Sequence, residues 1–280
     1  MADIEAVRAF WESNPLWAGE SAHEVGEAAY FDEHRHVVLA DCFGGEFDLR
    51  TMPPPRPGGQ RASILDLGCG VGFWSAEFAM RGLQGIVAAD LTQRALEITR
   101  ERLRVLDVQA QLRQENAEQL SFADASFDHV NCQGVVHHTP DTDRAVAEIA
   151  RVLKPGGTAC LSVYHRNVLL RLWPALRWAG WLLAKLGARL EGRGRDDIFL
   201  QRDVDHIVRL YDGAANPIGK CYSREQFVAM LRPHFEVEQT YLHYFPARAL
   251  PFRLPRALHR WLDRHLGFMI YANVRKPCAA

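Results

Sequence analysis

Two acids and three glycines in this chain have the spacing of a ligand site. Asp66 is followed by Gly68, Gly70 and Gly72, at every second position, within the stretch Ala62 to Trp74. Ala62 to Leu65 reads as a short buried strand that Asp66 closes, and Phe73 to Met80 has helical apolar spacing. A strand, a tight glycine turn and a helix together make a layout that holds a nucleotide-like ligand at a helix N-terminus. Glycine suits the turn because it tolerates positive φ and lets a ligand touch the backbone. A second acid, Asp90, lies 18 positions after Gly72 at the end of another apolar run. There it would accept hydrogen bonds from two ribose hydroxyls. Further on, Gln133-Gly134-Val135-Val136-His137-His138 follows a third apolar run. A histidine titrating near neutrality takes a proton from a hydroxyl or an amine, so His137 and His138 are the candidate bases.

These residues need strands to carry them. Residues 85–90 read as a second parallel strand, Thr92 to Leu106 as a crossover helix capped by Thr92, Val108 to Arg113 as a third strand and Phe127 to Cys132 as a fourth. Asp141 to Val152 reads as a helix stopped by Pro155-Gly156-Gly157, and Thr158 to Tyr164 as a fifth strand. Tyr164 and His165 are then expected at the pocket mouth. Ser223 caps another helix with Gln226 in the capping-box position. Phe235 to Phe245 and Gly267 to Arg275 read as the last two strands.

The glycine spacing separates two ligands. A dinucleotide fingerprint reads G-x-G-x-x-G, whereas here Asp66-x-Gly68-x-Gly70-x-Gly72 has an acid ahead of the first glycine. The motif resembles the first motif of the class I S-adenosylmethionine (SAM) methyltransferases, in particular the type 11, UbiE-like small-molecule enzymes. The resemblance spans roughly residues 60–165, and the turn Arg151-Val152-Leu153-Lys154-Pro155-Gly156-Gly157 is specific to it. It implies a seven-stranded, doubly wound Rossmann-like α/β sheet with its last strand antiparallel. It also implies methyl transfer from SAM, with S-adenosyl-L-homocysteine as product, to a small molecule through O, N or C. By resemblance Asp66, Gly68, Cys69, Gly70, Gly72, Gln133 and Gly134 hold the methionine end. Asp90 and Leu91 hold the ribose, and Asn116 and Ala117 the adenine. The loops typical of adenine-N6, glutamine and arginine methyltransferases are absent. Asp141 is offset from the position where catecholate-type relatives hold a metal, so no metal is expected.

Around this core the reading divides the chain in four. Residues 1–60 are a helical, aromatic-rich segment with a Pro/Gly linker at 51–61. It resembles a cap that lies over the cofactor and offers Trp17 and Tyr30 to the acceptor; the alternative is a helix packing on the core. Residues 61–165 are the core, 166–222 a helical lid, and 223–280 the rest of the core with an insertion at 246–266. Residues 166–195 mix Trp173, Trp178 and Trp181 with Arg166, Arg171, Arg177, Lys185, Arg189, Arg193 and Arg195, and only Glu191 is acidic. This reads either as a helix pair packed on its own domain or as a peripheral membrane contact. The pocket candidates are therefore Trp17, Tyr30, His138, Tyr164 and His165. His23, His34 and His36 lack metal-ligand spacing.

Bulk properties narrow the classes further. The 280 residues are 48% hydrophobic with a net charge of −1. That suffices for one large α/β domain and gives no field pointing to nucleic acid. Residues 1–60 hold 11 acidic and 4 basic side chains, residues 161–280 hold 10 and 19. Six cysteines without a C-x-x-C pair suggest reduced thiols and a cytoplasmic protein. No signal peptide and no transmembrane helix is expected. Two other readings remain: a SAM-binding module without turnover, and a lipid- or quinone-type methyltransferase at a membrane surface. A nicotinamide oxidoreductase is disfavoured by the glycine spacing.

Overall fold

A computed structural model describes residues 3–17, 19–55, 62–187, 201–213, 215–247, 250 and 252–278. Most of the 51–61 linker, Arg189, Glu191, Arg193, Arg195 and Arg248 lie outside the described residues.

The order of elements begins with α1 (Ile4–Ser13) and α2 (Ala28–Val37), which runs into one π turn at Val38–Cys42. The core follows as β1 (Ile64–Leu67), α3 (Phe73–Met80), β2 (Ile86–Asp90), α4 (Gln93–Val105), β3 (Gln111–Gln114), β4 (Phe127–Gln133), α5 (Thr142–Val152) and β5 (Leu153–His165). Then come α6 (Val168–Arg171), α7 (Trp173–Lys185), α8 (Val204–Leu210), β6 (Cys221–Tyr222), α9 (Arg224–Leu231), β7 (Glu236–His243), α10 (Arg256–Leu266) and β8 (Met269–Arg275).

Seven strands lie in the order β3-β2-β1-β4-β5-β8-β7, and the short β6 pairs with the end of β5. The first five are parallel, and β8 runs antiparallel between β5 and β7. Strand order reverses between β1 and β4, so the carboxyl ends of these two strands open a crevice. Helices cover both faces. The two central strands are accordingly buried, β1 throughout as Ile-Leu-Asp-Leu and β4 over Phe-Asp-His-Val-Asn-Cys.

Two strand starts differ from the sequence reading by three residues or more. The third strand starts at Gln111 rather than Val108, because α4 closes with Val108 N–H on the Leu103 carbonyl and Asp107 at φ 51°. Residues 106–110 are spent in that turn. The fifth strand starts at Leu153, so Pro155-Gly156-Gly157 sits inside it. The backbone there finds partners in the tail beyond β8: Gly156 N–H donates to Lys276 O and Lys276 N–H to Gly157 O. The register against β4 breaks at the same place.

The N-terminal segment is tied to the core at a defined point. Asn14-Pro15 ends α1, and the preceding Glu12 carboxylate accepts from Gln93 N–H (2.9 Å) and Arg94 N–H (3.0 Å) in the first turn of α4. A carboxylate at a helix N-terminus satisfies two orphan donors and complements the helix dipole. Residues 166–187 behave differently. Leu170 is buried, but Leu169, Leu172, Trp178, Trp181, Leu182 and Leu186 are exposed. No described helix is long and apolar enough to cross a membrane.

Candidate functional site: two cavities that meet at one histidine

The carboxyl end of β1 is bent sharply. Gly68 N–H (2.7 Å) and Cys69 N–H (2.9 Å) both donate to the Ala89 carbonyl of β2, which pulls the glycine turn against the neighbouring strand. Gly68 has φ +71°, and a Cβ built there would lie 2.2 Å from a methyl of Val135, in the loop after β4. Only glycine fits. Gly72 has φ +75° and is the N-cap of α3.

Asp66 lies inside β1 rather than after it. It is 1% exposed and accepts from Ser75 Oγ (2.5 Å) and Asn131 Nδ2 (2.8 Å). Burial pushes its carboxyl up to about 6, against the pull of these hydrogen bonds. Asp66 therefore braces α3 and β4 from beneath the turn. Asp90 ends β2 and accepts from Gly70 N–H (3.0 Å), Thr92 N–H (3.0 Å) and Thr92 Oγ (2.8 Å). Burial raises its carboxyl too, opposed by those bonds.

Two cavities lie over these strand ends. The smaller, about 110 Å³, is lined by Gly68, Gly70, Asp90, Leu91, Asn116, Ala117 and Gly134 among others, and roofed by Ile4, Val7, Trp11, Pro15 and Leu16. The Asn116 side-chain oxygen also closes its own turn by accepting from Glu118 N–H (3.0 Å). The larger cavity, about 450 Å³, takes in Cys69, Gln133, Gly134, Trp17, His138 and Tyr164. Trp11, Leu16, Gly68, Gly134 and His138 line both, so they mark the junction.

Five residues singled out from the sequence line neither cavity. Asp66 and Gly72 support the turn from below, as described. Tyr30 is 3% exposed and packs with Phe31, Val71 and Ile98 beneath Trp17. His165 falls outside because successive strand residues face opposite sides of a sheet; Tyr164 takes the cavity side and His165 rests near the Gly267 carbonyl. His137 is wholly buried, with no hydrogen-bond partner on either ring nitrogen among the described residues, and its ring lies 4.1 Å from that of Tyr164. Burial first, then the neighbouring His138 and Lys220, drive its pKa far below the ordinary range. A base there has no path to an acceptor.

His138 is placed differently. Its Nδ1 lies 2.7 Å from the Ile218 carbonyl, which only accepts, so Nδ1 carries the proton. Its Nε2 faces Asp212 Oδ2 at 3.5 Å. Asp212 in turn accepts from Tyr164 Oη (2.6 Å) and Asn216 Nδ2 (3.2 Å). Asp212 belongs to the loop after α8, and sequence reading gave it no role. Nor did it place His34, Trp74, Tyr211, Tyr244 or Tyr271 in the site, all of which line the larger cavity. Tyr271 carried a usable signal: Met269 and Tyr271 alternate on β8, as Ser162 and Tyr164 do on β5, and all four face the cavity.

Residues 65–161 match the family described as "Methyltransferase domain". The chain is 36% identical over 130 residues to a "Ubiquinone biosynthesis O-methyltransferase" of Alkalilimnicola ehrlichii, covering 46% of this chain and 47% of that protein. It is 35% identical over 162 residues to "Methyltransferase GfsG" of Streptomyces halstedii, covering 50% and 58%. The chain thus spans about half the length of the curated relatives it matches. Among solved structures, a SAM-dependent methyltransferase of Methanosarcina mazei superposes with a TM-score of 0.53 at 22% identity, covering 78% of this chain and 94% of that one. The same fold serves the [4+2]-cyclase SpnF, at a TM-score of 0.51 and 17% identity, covering 98% and 94%. Residues 65–161 thus carry the match to a methyltransferase domain, and SAM is the cofactor that this match implies. The donor set of the smaller cavity fits that cofactor: a half-buried carboxylate at Asp90 for two hydroxyls, an apolar slot between Leu91 and Ala117 for a purine, and glycine backbone toward the larger cavity.

Proposed function

We propose that the protein moves the methyl group of SAM to a small-molecule acceptor held in the larger cavity. The observation that carries this reading is the junction: a narrow slot bordered by Asp90, Asn116 and Ala117 and an aromatic-walled cavity share Gly134 and His138. When bound, SAM supplies an electrophilic methyl carbon on a good thioether leaving group. The chain's part is then alignment and exclusion of water. Asp90 binds the ribose, with Leu91 beside it. Asn116 and Ala117 border the purine, and Gly68, Cys69, Gly70, Gln133 and Gly134 border the methionine end. Asp66 and Gly72 hold the turn in shape. His138 is the candidate base. Residues 1–60 act as a cap, in that Trp11, Leu16 and Trp17 roof the cavities. Residues 61–165 form the SAM-binding core, with 166–222 and 246–266 as insertions upon it. The cytoplasm is the proposed site of action.

The test is methyl-labelled SAM incubated with the protein and a cell extract, then split into organic and aqueous fractions. Label in either fraction, dependent on the protein, is the expected result. SAM bound but no label moved would sink methyl transfer in favour of a SAM-binding module or another chemistry on this fold.

One observation favours an amphiphilic acceptor met at a bilayer. Residues 166–187 carry Arg166, Arg171, Arg177 and Lys185 with no acid, and α7 exposes Trp178 (68%) and Trp181 (47%). Cations beside exposed tryptophans match an anionic lipid surface. Label confined to the organic fraction supports this reading.

A further inference from the structure

We propose that His243 is a positioning residue of the acceptor cavity: as an imidazolium between Asp48 and Asp263 it clasps residues 43–51 to the sheet and so holds Phe43 in the cavity wall. This rests on the larger cavity being the acceptor site and names what regulates its shape.

Three elements meet at this histidine. It stands on β7, Asp263 comes from α10, and Asp48 from the segment after α2. The three side chains are at most 8% exposed. His243 Nδ1 lies 2.7 Å from Asp263 Oδ2, so Nδ1 carries a proton. Its Nε2 faces Asp48 Oδ2 at 3.7 Å and has no hydrogen-bond partner among the described residues. A neutral ring would turn the Nε2 lone pair toward that buried carboxylate; a second proton makes the same contact attractive. The charges agree. Arg50 answers Asp48, with Nε 2.9 Å from Oδ1 and Nη2 2.7 Å from Oδ2. Among the described residues no arginine or lysine pairs with Asp263, and its Oδ1 has no hydrogen-bond partner. A buried carboxylate needs a counter-charge, and the imidazolium supplies it. Phe43 stacks on the His243 ring, centroids 4.5 Å apart at 21°, a contact that a cation strengthens. Phe43 also meets Phe73 and Trp74, and all three line the larger cavity.

The segment's other anchors keep their charge near neutral pH. Arg260 Nε donates to Gly44 O (3.3 Å), and Arg260 Nη2 pairs with Glu46 (2.6 Å). Arg81 lies over the Phe47 ring and Arg50 over the Tyr241 ring, and Asn273 Nδ2 donates to Arg50 O (3.0 Å). Around the imidazole stand Asp48 and Arg50 from the segment, Asp263 from α10, Tyr271 from β8 and Tyr241 two residues back on β7. Burial drives both phenols far above the ordinary range, so they stay neutral. His259, one turn before Asp263, is turned to the Phe245 carbonyl (2.9 Å). His243 is thus the anchor that changes charge near neutrality. Closing the segment binds the ring's second proton, and opening returns it to solvent. By linkage the clasp holds below the ring's midpoint and loosens as pH rises through it.

The experiment is amide hydrogen exchange on the full chain across pH, each rate divided by the intrinsic rate at that pH, with nitrogen NMR of the histidine rings beside it. The amides of Gly45, Arg50 and Thr51 report the segment, since they donate to Leu39 O, Asp48 Oδ1 and Asp48 O. Their protection should fall at least about tenfold from about pH 6 to about pH 9, while that of the β1 amides holds. Over the same range a ring with both nitrogens protonated should lose one proton. His243→Gln should lack that ring signal and show the low protection at every pH. Asp263→Asn should lower the ring's midpoint, and Asp48→Asn should lower it less, because Arg50 shares that carboxylate. If His243→Gln fails to fold, the ring is assigned by its shift in Asp48→Asn, and the wild-type profile still decides. A His243 ring that is neutral at about pH 6, protection that does not change with pH, or the same pH dependence in His243→Gln each overturns the proposal. Failure to bind S-adenosylhomocysteine in calorimetry would instead strike at the cofactor reading and leave the clasp standing.

Discussion

The two cavities are built in opposite ways. The smaller one draws its working residues from strand ends: Gly68 and Gly70 follow β1, Asp90 ends β2, and Asn116 and Ala117 follow β3. Each sits a few residues from a strand whose position is fixed by parallel pairing, on both sides for β1 and β2 and on one side for the edge strand β3. The larger cavity shares the turn after β1 and adds the start of α3, residues from α1 and α2, the end of β4 and the loop after it, the ends of β5 and β8, and loops after α8 and β7. No two of its contributing segments need share a motif. A pocket for a constant ligand thus rests on the sheet, and a pocket for a variable ligand on elements that change without disturbing the sheet.

The largest effect expected from this contrast is on the cofactor. Asp90→Ala removes the acceptor for two ribose hydroxyls, each charge-assisted bond worth about 1.5–3 kcal/mol. SAM affinity measured by calorimetry should fall by at least about 100-fold. An unchanged affinity would break the assignment of the smaller cavity.

Next in size is a pair of glycines, one from each half. Gly68→Ala puts a methyl 2.2 Å from Val135 at φ +71°. Strained backbone and overpacking together should cost about 3 kcal/mol or more. Gly187, just past α7, has φ +86° and, among the described residues, nothing within 4 Å of a built Cβ. Gly187→Ala should cost only the backbone penalty, about 1–2 kcal/mol. Urea unfolding compares the two. Equal losses would mean that the glycine turn is not the tightly packed half.

The pH response should also come from the core. His129 in β4 is pushed down to about 3 by burial, with Nδ1 near Thr158 Oγ at 2.8 Å. Its folded pKa lies below the ordinary 6.5, so the unfolded chain binds more protons as pH falls. Stability is full above about pH 6.5 and is lost as pH falls toward 3, by about 2 kcal/mol between about pH 7 and pH 5. Asp66 has the opposite sign. Its carboxyl is raised to about 6 from 3.8, so its contribution weakens as pH rises through that window. Comparing wild type with His129→Leu at the two pH values cancels the Asp66 part. The variant should lose about 2 kcal/mol less on acidification, whatever its absolute stability.

The same contrast explains what could be read from the sequence. Parallel strands buried on both faces announce themselves as apolar runs, and the acid and glycines at their ends are bound to them by chain connectivity. β1, β2, β4 and the helices α3 to α5 were legible for that reason, with the starts of β3 and β5 displaced most, by turn and tail hydrogen bonds. The N-cap at Ser223 and its capping box with Gln226 were legible because capping is local. Tyr30, His137 and His165 show the limit. Each has a neighbour that does line the larger cavity, His34, His138 and Tyr164, and choosing between neighbours needs the rotation of a helix or the face of a strand. Asp212 was out of reach altogether. It stands 74 positions beyond His138 in a loop, and only the folded chain brings the two side chains together.

The smallest stability effect belongs to the half that carries the most exposed apolar surface, and it makes the sharpest test of what that surface is for. Trp178 is 68% exposed on α7. A tryptophan that the fold does not bury gains nothing from folding, so Trp178→Ser should change unfolding free energy by less than about 0.5 kcal/mol. If the loss instead reaches the several kcal/mol expected for a core aromatic, α7 packs on its own domain in solution and the membrane reading falls. If stability holds, the same variant goes to flotation with vesicles of anionic and of zwitterionic phospholipid. The wild type should float with the anionic vesicles and release with salt, because Arg171, Arg177 and Lys185 lie on the same helical segment with no acid to offset them. Trp178→Ser should float less at equal SAM affinity. A wild type that ignores both vesicles would leave the exposed helix to a protein partner or a second copy of the chain, and the acceptor would then be delivered from solution.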